Sequence, residues 1–169
     1  MTDVCMIIGA GAGIGGHVGK RFAQDGYHVA LCRRSDQDGL DQMVAEIEAA
    51  GGKASGHLLN AVDEGAIEKL IDDVEADIGP INIVVYNLGA QIGNRALTDT
   101  PLKTFELGWR MGTLGVFRVA QKLFPKMVER GGGVLLVTSA TSAMRGNAGQ
   151  HSHAAAMGGR RMLCQTLNA

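Results

Sequence analysis

The sequence predicts an α/β protein, a doubly wound parallel sheet covered by helices on both faces, and three observations carry that expectation. Short unbroken apolar runs, Val4 to Ile8 and Ile81 to Tyr86 among them, recur along the chain. Between them lie longer stretches whose apolar residues return every three to four positions. The first apolar run ends in a glycine cluster, Gly9 to Gly16, that leads straight into a helical pattern. Strands buried on both faces read as continuous apolar runs, and amphipathic helices are the crossovers that parallel strands need. At 169 residues and 46% hydrophobic content the chain has the size of one domain with a real core, so residues 1–169 are read as a single domain.

Taken in order, Val4 to Ile8 is the first strand and Gly15 to Asp25 the first helix, with Val18 and Phe22 one turn apart. Val29 to Cys32 is the second strand. Leu40, Met43, Val44 and Ile47 fall at i, i+3, i+4 and i+7, on one face of a helix closed by Gly51 and Gly52. Ala54 to Leu59 is a weaker strand. Ile67, Leu70, Ile71, Val74 and Ile78 make the next amphipathic helix, with Asp63 as its N-cap and Gly79-Pro80 as its stop. Ile81 to Tyr86 is a fully buried strand. One long helix is expected from about Thr104 to Arg130, kinked or ended early by Pro125. Gly133 to Thr138 is the last strand and Ser152 to Asn168 the last helix. Right-handed crossovers then fix the topology.

A net charge of −1 leaves no basic excess for a phosphate backbone, and no block of like charges marks an interaction tail, so nucleic acid is not an expected partner. Cys5, Cys32 and Cys164 are odd in number and lack C-x-x-C spacing, which fits free thiols in a reducing compartment. No export signal follows Met1, and no apolar run approaches the roughly 20 residues of a membrane span. A cytoplasmic protein without membrane contact is expected.

The glycine cluster carries the first chemistry. It fits G-x-G-x-x-G at Gly11, Gly13 and Gly16, and G-x-x-x-G-x-G at Gly9, Gly13 and Gly15. Backbone without side chains can approach a pyrophosphate closely, and the helix that follows offers unpaired N–H groups and a positive dipole end. Strand, glycine turn and helix in this order open a Rossmann-type sheet, three layers in α/β/α order, that binds a dinucleotide. The alternative is a tight structural turn. The second strand ends in Cys32-Arg33-Arg34, where a fold preferring NAD would place an acid against the ribose 2'-hydroxyl. Arginine there favours a 2'-phosphate, hence NADP(H) over NAD(H); otherwise Arg33 and Arg34 solvate a strand end.

With these residues in place the chain resembles the short-chain dehydrogenase/reductase family over essentially its whole length. The family's T-G-x-x-x-G-x-G appears as Ile8-Gly9-Ala10-Gly11-Ala12-Gly13-Ile14-Gly15, with the leading Thr replaced. Its N-N-A-G looks like Tyr86-Asn87-Leu88-Gly89, matching at two of four positions. Asn60-Ala61 stands where the family cradles the adenine, usually with an acid. The resemblance implies that Gly9, Gly11, Gly13, Ile14, Gly15, Arg33, Arg34, Asn60, Ala61, Asn87 and Gly89 face the cofactor.

The family's catalytic Tyr, Lys, Ser and Asn align with His153, Met157, Ala140 and Gly112, and none matches. A phenol with a pKa near 10 needs a neighbouring cation to exchange protons at neutral pH, whereas an imidazole near 6.5 does not (about 10 and about 6.5 unperturbed). His153 is therefore the candidate proton shuttle. Ser139 and Thr141, with Ser142 beside them, are candidates to polarise a carbonyl. The alternative for His153 is packing or solvent exposure at a helix start. A metal at His151 and His153 is not expected, because i and i+2 point to different helix faces. Met157, Met162 and Leu163 are read as core or interface residues.

In the resembling family another strand and the substrate-covering helices follow the last helix seen here. The expected fold lacks them, which would leave Val134 to Thr138 as an apolar edge and one face of the final helix uncovered. Self-association follows as an expectation, a homo-dimer or homo-tetramer assembled through Thr104 to Arg130 and Ser152 to Asn168. Three functions remain open: an NADP(H)-dependent oxidoreductase acting on a small carbonyl or alcohol with an atypical proton donor, a non-catalytic NADP(H)-binding sensor or assembly subunit, and a truncated reductase.

Overall fold

A computed structural model describes residues 2–89 and 93–168. Five parallel strands form one sheet in the order β3-β2-β1-β4-β5. β1 (Val4–Ile8) is central and pairs with β2 (His28–Arg33) on one side and β4 (Ile81–Tyr86) on the other. β3 (Lys53–Leu58) and β5 (Val134–Val137) are the edges. The chain moves outward from β1 to β3 and then crosses back to β4, so the order reverses between β1 and β4. That reversal opens a crevice at the carboxyl ends of the strands, the usual ligand position in a doubly wound sheet.

The centre of the sheet, β1, β2 and β4, is buried on both sides. Met6, Ile8, Cys32, Val84 and Tyr86 face α3 (Ala66–Asp77) and α5 (Gly115–Glu129), through Ile67, Ile71, Val119 and Leu123. Ile7, Leu31 and Val85 face α1 (Ile14–Gln24) and α2 (Gln37–Ala49), through Ala23, Leu40, Met43 and Ile47. All five residues of β1 are buried, as its unbroken apolar run requires. Cys5 and Cys32 are buried free thiols, and burial pushes the Cys5 thiol up to about 12, so it stays protonated and packs as a small apolar group.

Between α3 and α5 runs a lattice of ion pairs. Arg118 forks onto Glu68 at 2.8 and 2.6 Å, Lys122 and Lys126 both reach Asp72, and Lys126 and Arg130 share Glu75 at 2.7 Å each. On the opposite edge, Ser55 Oγ lies 3.0 Å from His28 Nε2 and 2.8 Å from His57 Nε2, a hydroxyl between two imidazoles.

Three sequence expectations need correction. Asp63 does not cap α3: its carboxylate accepts from Asn60 Nδ2 at 2.8 Å, and Gly65, at φ 72°, occupies the cap position. The stretch expected as one long helix is divided into α4 (Leu102–Trp109), a π-helical turn at Arg110–Leu114, and α5. Pro125 neither kinks α5 to a stop nor ends it, since the helix continues to Glu129. Proline removes the N–H that would bond the Gln121 carbonyl, but both residues are exposed, so that carbonyl is open to solvent, while buried Met127 and the ion pairs of Lys126 and Arg130 hold the last turn. The last helix, α6 (His151–Leu167), lies where expected. Val134 and Leu136 of β5 are about half exposed, at 46% and 45%, as anticipated for an edge.

Candidate functional site

The glycine turn sits at the carboxyl end of β1. Gly9 adopts φ 101°, and a Cβ there would lie 2.9 Å from the Asn87 carbonyl, so only glycine fits both the conformation and the approach of β4. Gly9 and Ala10 donate their N–H groups to Cys32 O at 2.8 and 2.9 Å, tying the turn to β2. Asn87 ties it to β4, its N–H donating to Ile8 O at 2.8 Å and its Nδ2 to Gly9 O at 3.1 Å. A Cβ on Gly15 would run into the Gly9 carbonyl, which explains how α1 approaches the turn so closely. Gly11 and Gly13 face open space, and Gly13 precedes the free N-terminus of α1, which has no side-chain cap. The Gly11 N–H is bonded to Gly9 O at 3.0 Å, and the open space over Gly11 and Gly13 with the uncapped start of α1 suits a pyrophosphate.

The crevice beside this turn is a cleft of about 420 Å³. It gathers Gly9 and Gly11 after β1, Arg33, Arg34 and Ser35 after β2, Leu59, Asn60, Ala61 and Val62 after β3, and Asn87 and Leu88 after β4, with Leu107 and Met111 as the far wall. Seven of the residues expected to hold the cofactor therefore line one cleft. Gly13, Ile14, Gly15 and Gly89 lie outside that lining; Ile14 is 63% exposed beside the mouth, and Gly89 is exposed with no neighbour at its Cβ position. Arg33 closes β2 and holds Asp36 at 3.0 Å, while it also lines a second, smaller pocket between α1 and α2 with His17 and Lys20. Asn60 keeps its carbamoyl nitrogen on Asp63. The residues present fit a dinucleotide: open glycines for the pyrophosphate, two guanidinium groups at the ribose position, and apolar walls for the rings.

The catalytic candidates are not brought together. His153 is 7% exposed on α6, and its Nδ1 has no hydrogen-bond partner. It faces a narrow pocket with Arg95, Thr100, Thr104 and Gly149, separate from the cofactor cleft. Ser139 lines a groove between β5 and α6, and Thr141 is exposed on a 3₁₀ turn, Thr141–Ala143. Ser142, next after Thr141, is buried with an unpartnered hydroxyl. Met157 is buried against Ala140 and Ala143, which fits a core residue, whereas Met162 is 55% exposed. Among the described residues no cluster of three or more metal-binding side chains is present, and no helix is long and apolar enough to cross a membrane.

Sequence reasoning missed Arg160. It is 1% exposed, and its Nε donates to Gly112 O at 2.6 Å, Nη1 to Thr138 O at 2.8 Å and Nη2 to Leu88 O at 2.7 Å. Its guanidinium also lies 5.3 Å from the centre of the Tyr86 ring. Tyr86 in turn donates from its hydroxyl to Met111 O at 2.6 Å, and burial pushes that phenol up to about 12, so it remains a donor. The signal was a lone charged residue on an apolar stripe, seven positions after His153 and three after Met157.

The family profile described as short chain dehydrogenase matches residues 3–169. A 3-oxoacyl-[acyl-carrier-protein] reductase FabG from Thermotoga maritima is 32% identical over 92% of this chain and 63% of its own length. The chain thus spans less than two thirds of that relative. A crystal structure of a short-chain dehydrogenase from Rhodopseudomonas palustris superposes with a TM-score of 0.91 at 31% identity, covering 98% of this chain and 76% of that one. An alcohol dehydrogenase from Thermococcus sibiricus, complexed with 5-hydroxy-NADP, gives 0.88 at 26% identity over 99% and 71%. Profile, sequence and fold agree, and the chain belongs to the short-chain dehydrogenase/reductase family of oxidoreductases.

Proposed function

We propose that residues 1–169 form one NADP(H)-binding unit of an oxidoreductase that acts on a small carbonyl or alcohol. The observation that carries this reading is the cleft itself, in which the open glycine turn and Arg33 with Arg34 meet at the switch point of the sheet. When bound, the nicotinamide would supply or accept the hydride. The chain's own part is to seat the pyrophosphate on Gly11, Gly13 and the α1 N-terminus, to pair Arg33 with the 2'-phosphate, and to hold the adenine end by Asn60 and Ala61. His153 Nδ1 is the proton-exchanging atom in this reading, because it is buried, unpartnered and at the position that aligns with the family's catalytic Tyr. The complexed cofactor analogue of the T. sibiricus relative supports the NADP preference.

A second reading, a non-catalytic NADP(H)-binding sensor or assembly subunit, is favoured by a separate observation: His153, Ser139 and Thr141 line different pockets or none. Exposed Leu102, Phe105, Trp109, Leu114 and Phe117 on α4, the π turn and α5 support a homo-dimer or homo-tetramer in either case. The reading places the protein in the cytoplasm.

The experiment is a titration with NADPH and with NADH, followed by energy transfer from Trp109, then turnover of the wild type and of His153→Phe over aldehydes, ketones and quinones. NADPH-selective binding with turnover lost in the variant is expected. Absence of binding overturns the first reading and the second together, and binding without turnover decides for the second.

A further inference from the structure

Two segments reach the cofactor cleft, Asn87 and Leu88 after β4 and the π turn between α4 and α5, and a third, Thr138 to Thr141 after β5, places Ser139 in the neighbouring groove between β5 and α6. Arg160 takes one backbone carbonyl from each, Leu88 O, Gly112 O and Thr138 O, all within 2.8 Å. No other side chain of the described residues bonds to all three. The π turn has three further fastenings, Tyr86 Oη donating to Met111 O, Thr113 Oγ1 donating to Ala156 O at 2.8 Å and Arg110 Nη2 donating to Val62 O at 2.6 Å. A Cβ on Gly115 would strike the Tyr86 hydroxyl, so the turn is built around that phenol. π-helical turns are less favourable than continued α-helix and occur where a side chain must be re-aimed near a site. Here Leu107 and Met111, just before and within the turn, form the far wall of the cleft.

Arg160 carries its charge in a buried setting. Among the described residues no carboxylate comes within ion-pair distance of it, and burial pulls its pKa down from the ordinary guanidinium value. An uncompensated buried cation is costly, and a hydrocarbon side chain of similar size would fill the space more cheaply. What an apolar residue cannot do is bind three carbonyls in one plane at fixed angles.

We propose that Arg160 is the positioning residue of this site: its guanidinium, with Tyr86, locks the π turn to the ends of β4 and β5 and so sets the width of the cofactor cleft. The proposal rests on the cofactor-binding reading for its effect on affinity, but not for the lock itself. One guanidinium couples the wall formed by Leu107 and Met111 to the segment carrying Ser139 and Thr141.

The test compares wild type, Arg160→Met, Arg160→Lys and Tyr86→Phe, well below their melting temperatures. Hydrogen exchange is read over 86–89, 107–114 and 138–142, and over β1 and β2 as an internal control, together with NADPH and NADH affinity. In Arg160→Met the three segments should lose protection while β1 and β2 keep it, and both cofactors should bind at least about tenfold more weakly, since a displaced wall affects either one. Arg160→Lys should fall between, and Tyr86→Phe should loosen 107–114 alone. Equal protection in all three segments, or cofactor affinities within twofold of wild type in Arg160→Met, overturns the proposal. If Arg160→Met does not fold, Arg160→Lys and Tyr86→Phe decide it by the same exchange pattern. Should the wild type bind neither cofactor, the functional reading fails, and the exchange comparison still decides the lock.

Discussion

Arg33→Ala separates a phosphate-reading arginine from a strand-end solubiliser. Arg33 closes β2, its side chain is 24% exposed, and it is engaged on one side by Asp36 at 3.0 Å. Its remaining N–H groups face the cleft and the adjacent pocket. One charge-assisted hydrogen bond to a phosphate is worth about 1.5–3 kcal/mol, so removing Arg33 should raise the NADPH Kd by about 10- to 150-fold. NADH, which lacks the phosphate, should change by less than about twofold on the same scale. Asp36→Asn should act in the opposite direction. Asparagine keeps the acceptor that caps α2 through Gly39 N–H and tolerates the φ of 74° found there, but it removes a carboxylate that competes for Arg33 and repels phosphate. An exposed charge contact of about 0.2–1 kcal/mol predicts NADPH binding about 1.5- to 5-fold tighter. Calorimetry and Trp109-sensitised fluorescence at fixed ionic strength give both constants. If Arg33→Ala weakens NADPH and NADH equally, or neither, Arg33 does not read the 2'-phosphate.

Gly115→Ala should cost about 1–3 kcal/mol because its methyl group collides with the Tyr86 hydroxyl, and Tyr86→Phe in the same chain should recover part of that loss; additive melting shifts would contradict the packing described. His28 and His57 titrate below the ordinary imidazole value, chiefly through burial, with the charges of His57 and Lys53 adding to the shift at His28 and Glu48 opposing it, and with Asp73 and Asp77 opposing it at His57. The unfolded chain therefore takes up protons first, so stability is complete above about pH 6.5 and falls as pH drops toward the folded-state values. Urea midpoints across that window should flatten in a His28→Gln, His57→Gln double variant. Phe117→Asp, on the exposed face of α5, should shift light-scattering mass from oligomer to monomer without changing secondary structure; an unchanged mass would mean that α5 is not the interface.

Where periodicity and local chemistry agree, the sequence was readable. The unbroken apolar run of β1 announced a central strand, and the glycines with Arg33, Asn60 and Asn87 announced which strand ends converge. What could not be read depends on partners distant in the chain. Asp63 has the chemistry of a cap but its carboxylate is taken by Asn60, leaving the role to Gly65. Pro125 carries a strong local stop signal, overruled by Met127 in the core and by ion pairs to α3. The π turn has no local signature, because it is imposed by the Tyr86 hydroxyl, 25 residues earlier, and by Arg160, 48 residues later. His153 was legible as a residue type, but its separation from the cofactor cleft was not.

The ion-pair lattice between α3 and α5 bears on how the molecule comes apart when heated. Hydration of charged groups grows less favourable as temperature rises, so a network such as Glu75 with Lys126 and Arg130 loses less to solvent at high temperature than it does in the cold. Among the described residues the opposite side has one inter-helix pair in place of a network, Lys20 of α1 with Glu46 of α2, and β3 is an edge strand with a single buried residue, Ala54, packed beneath α2. Thermal loosening should begin at β3 and α2 and reach α3 and α5 last. The end of the cleft that Asn60 and Ala61 line after β3 should then loosen before the wall formed by Leu107 and Met111, and under the cofactor-binding proposal heat would first show as lost cofactor retention rather than as global melting.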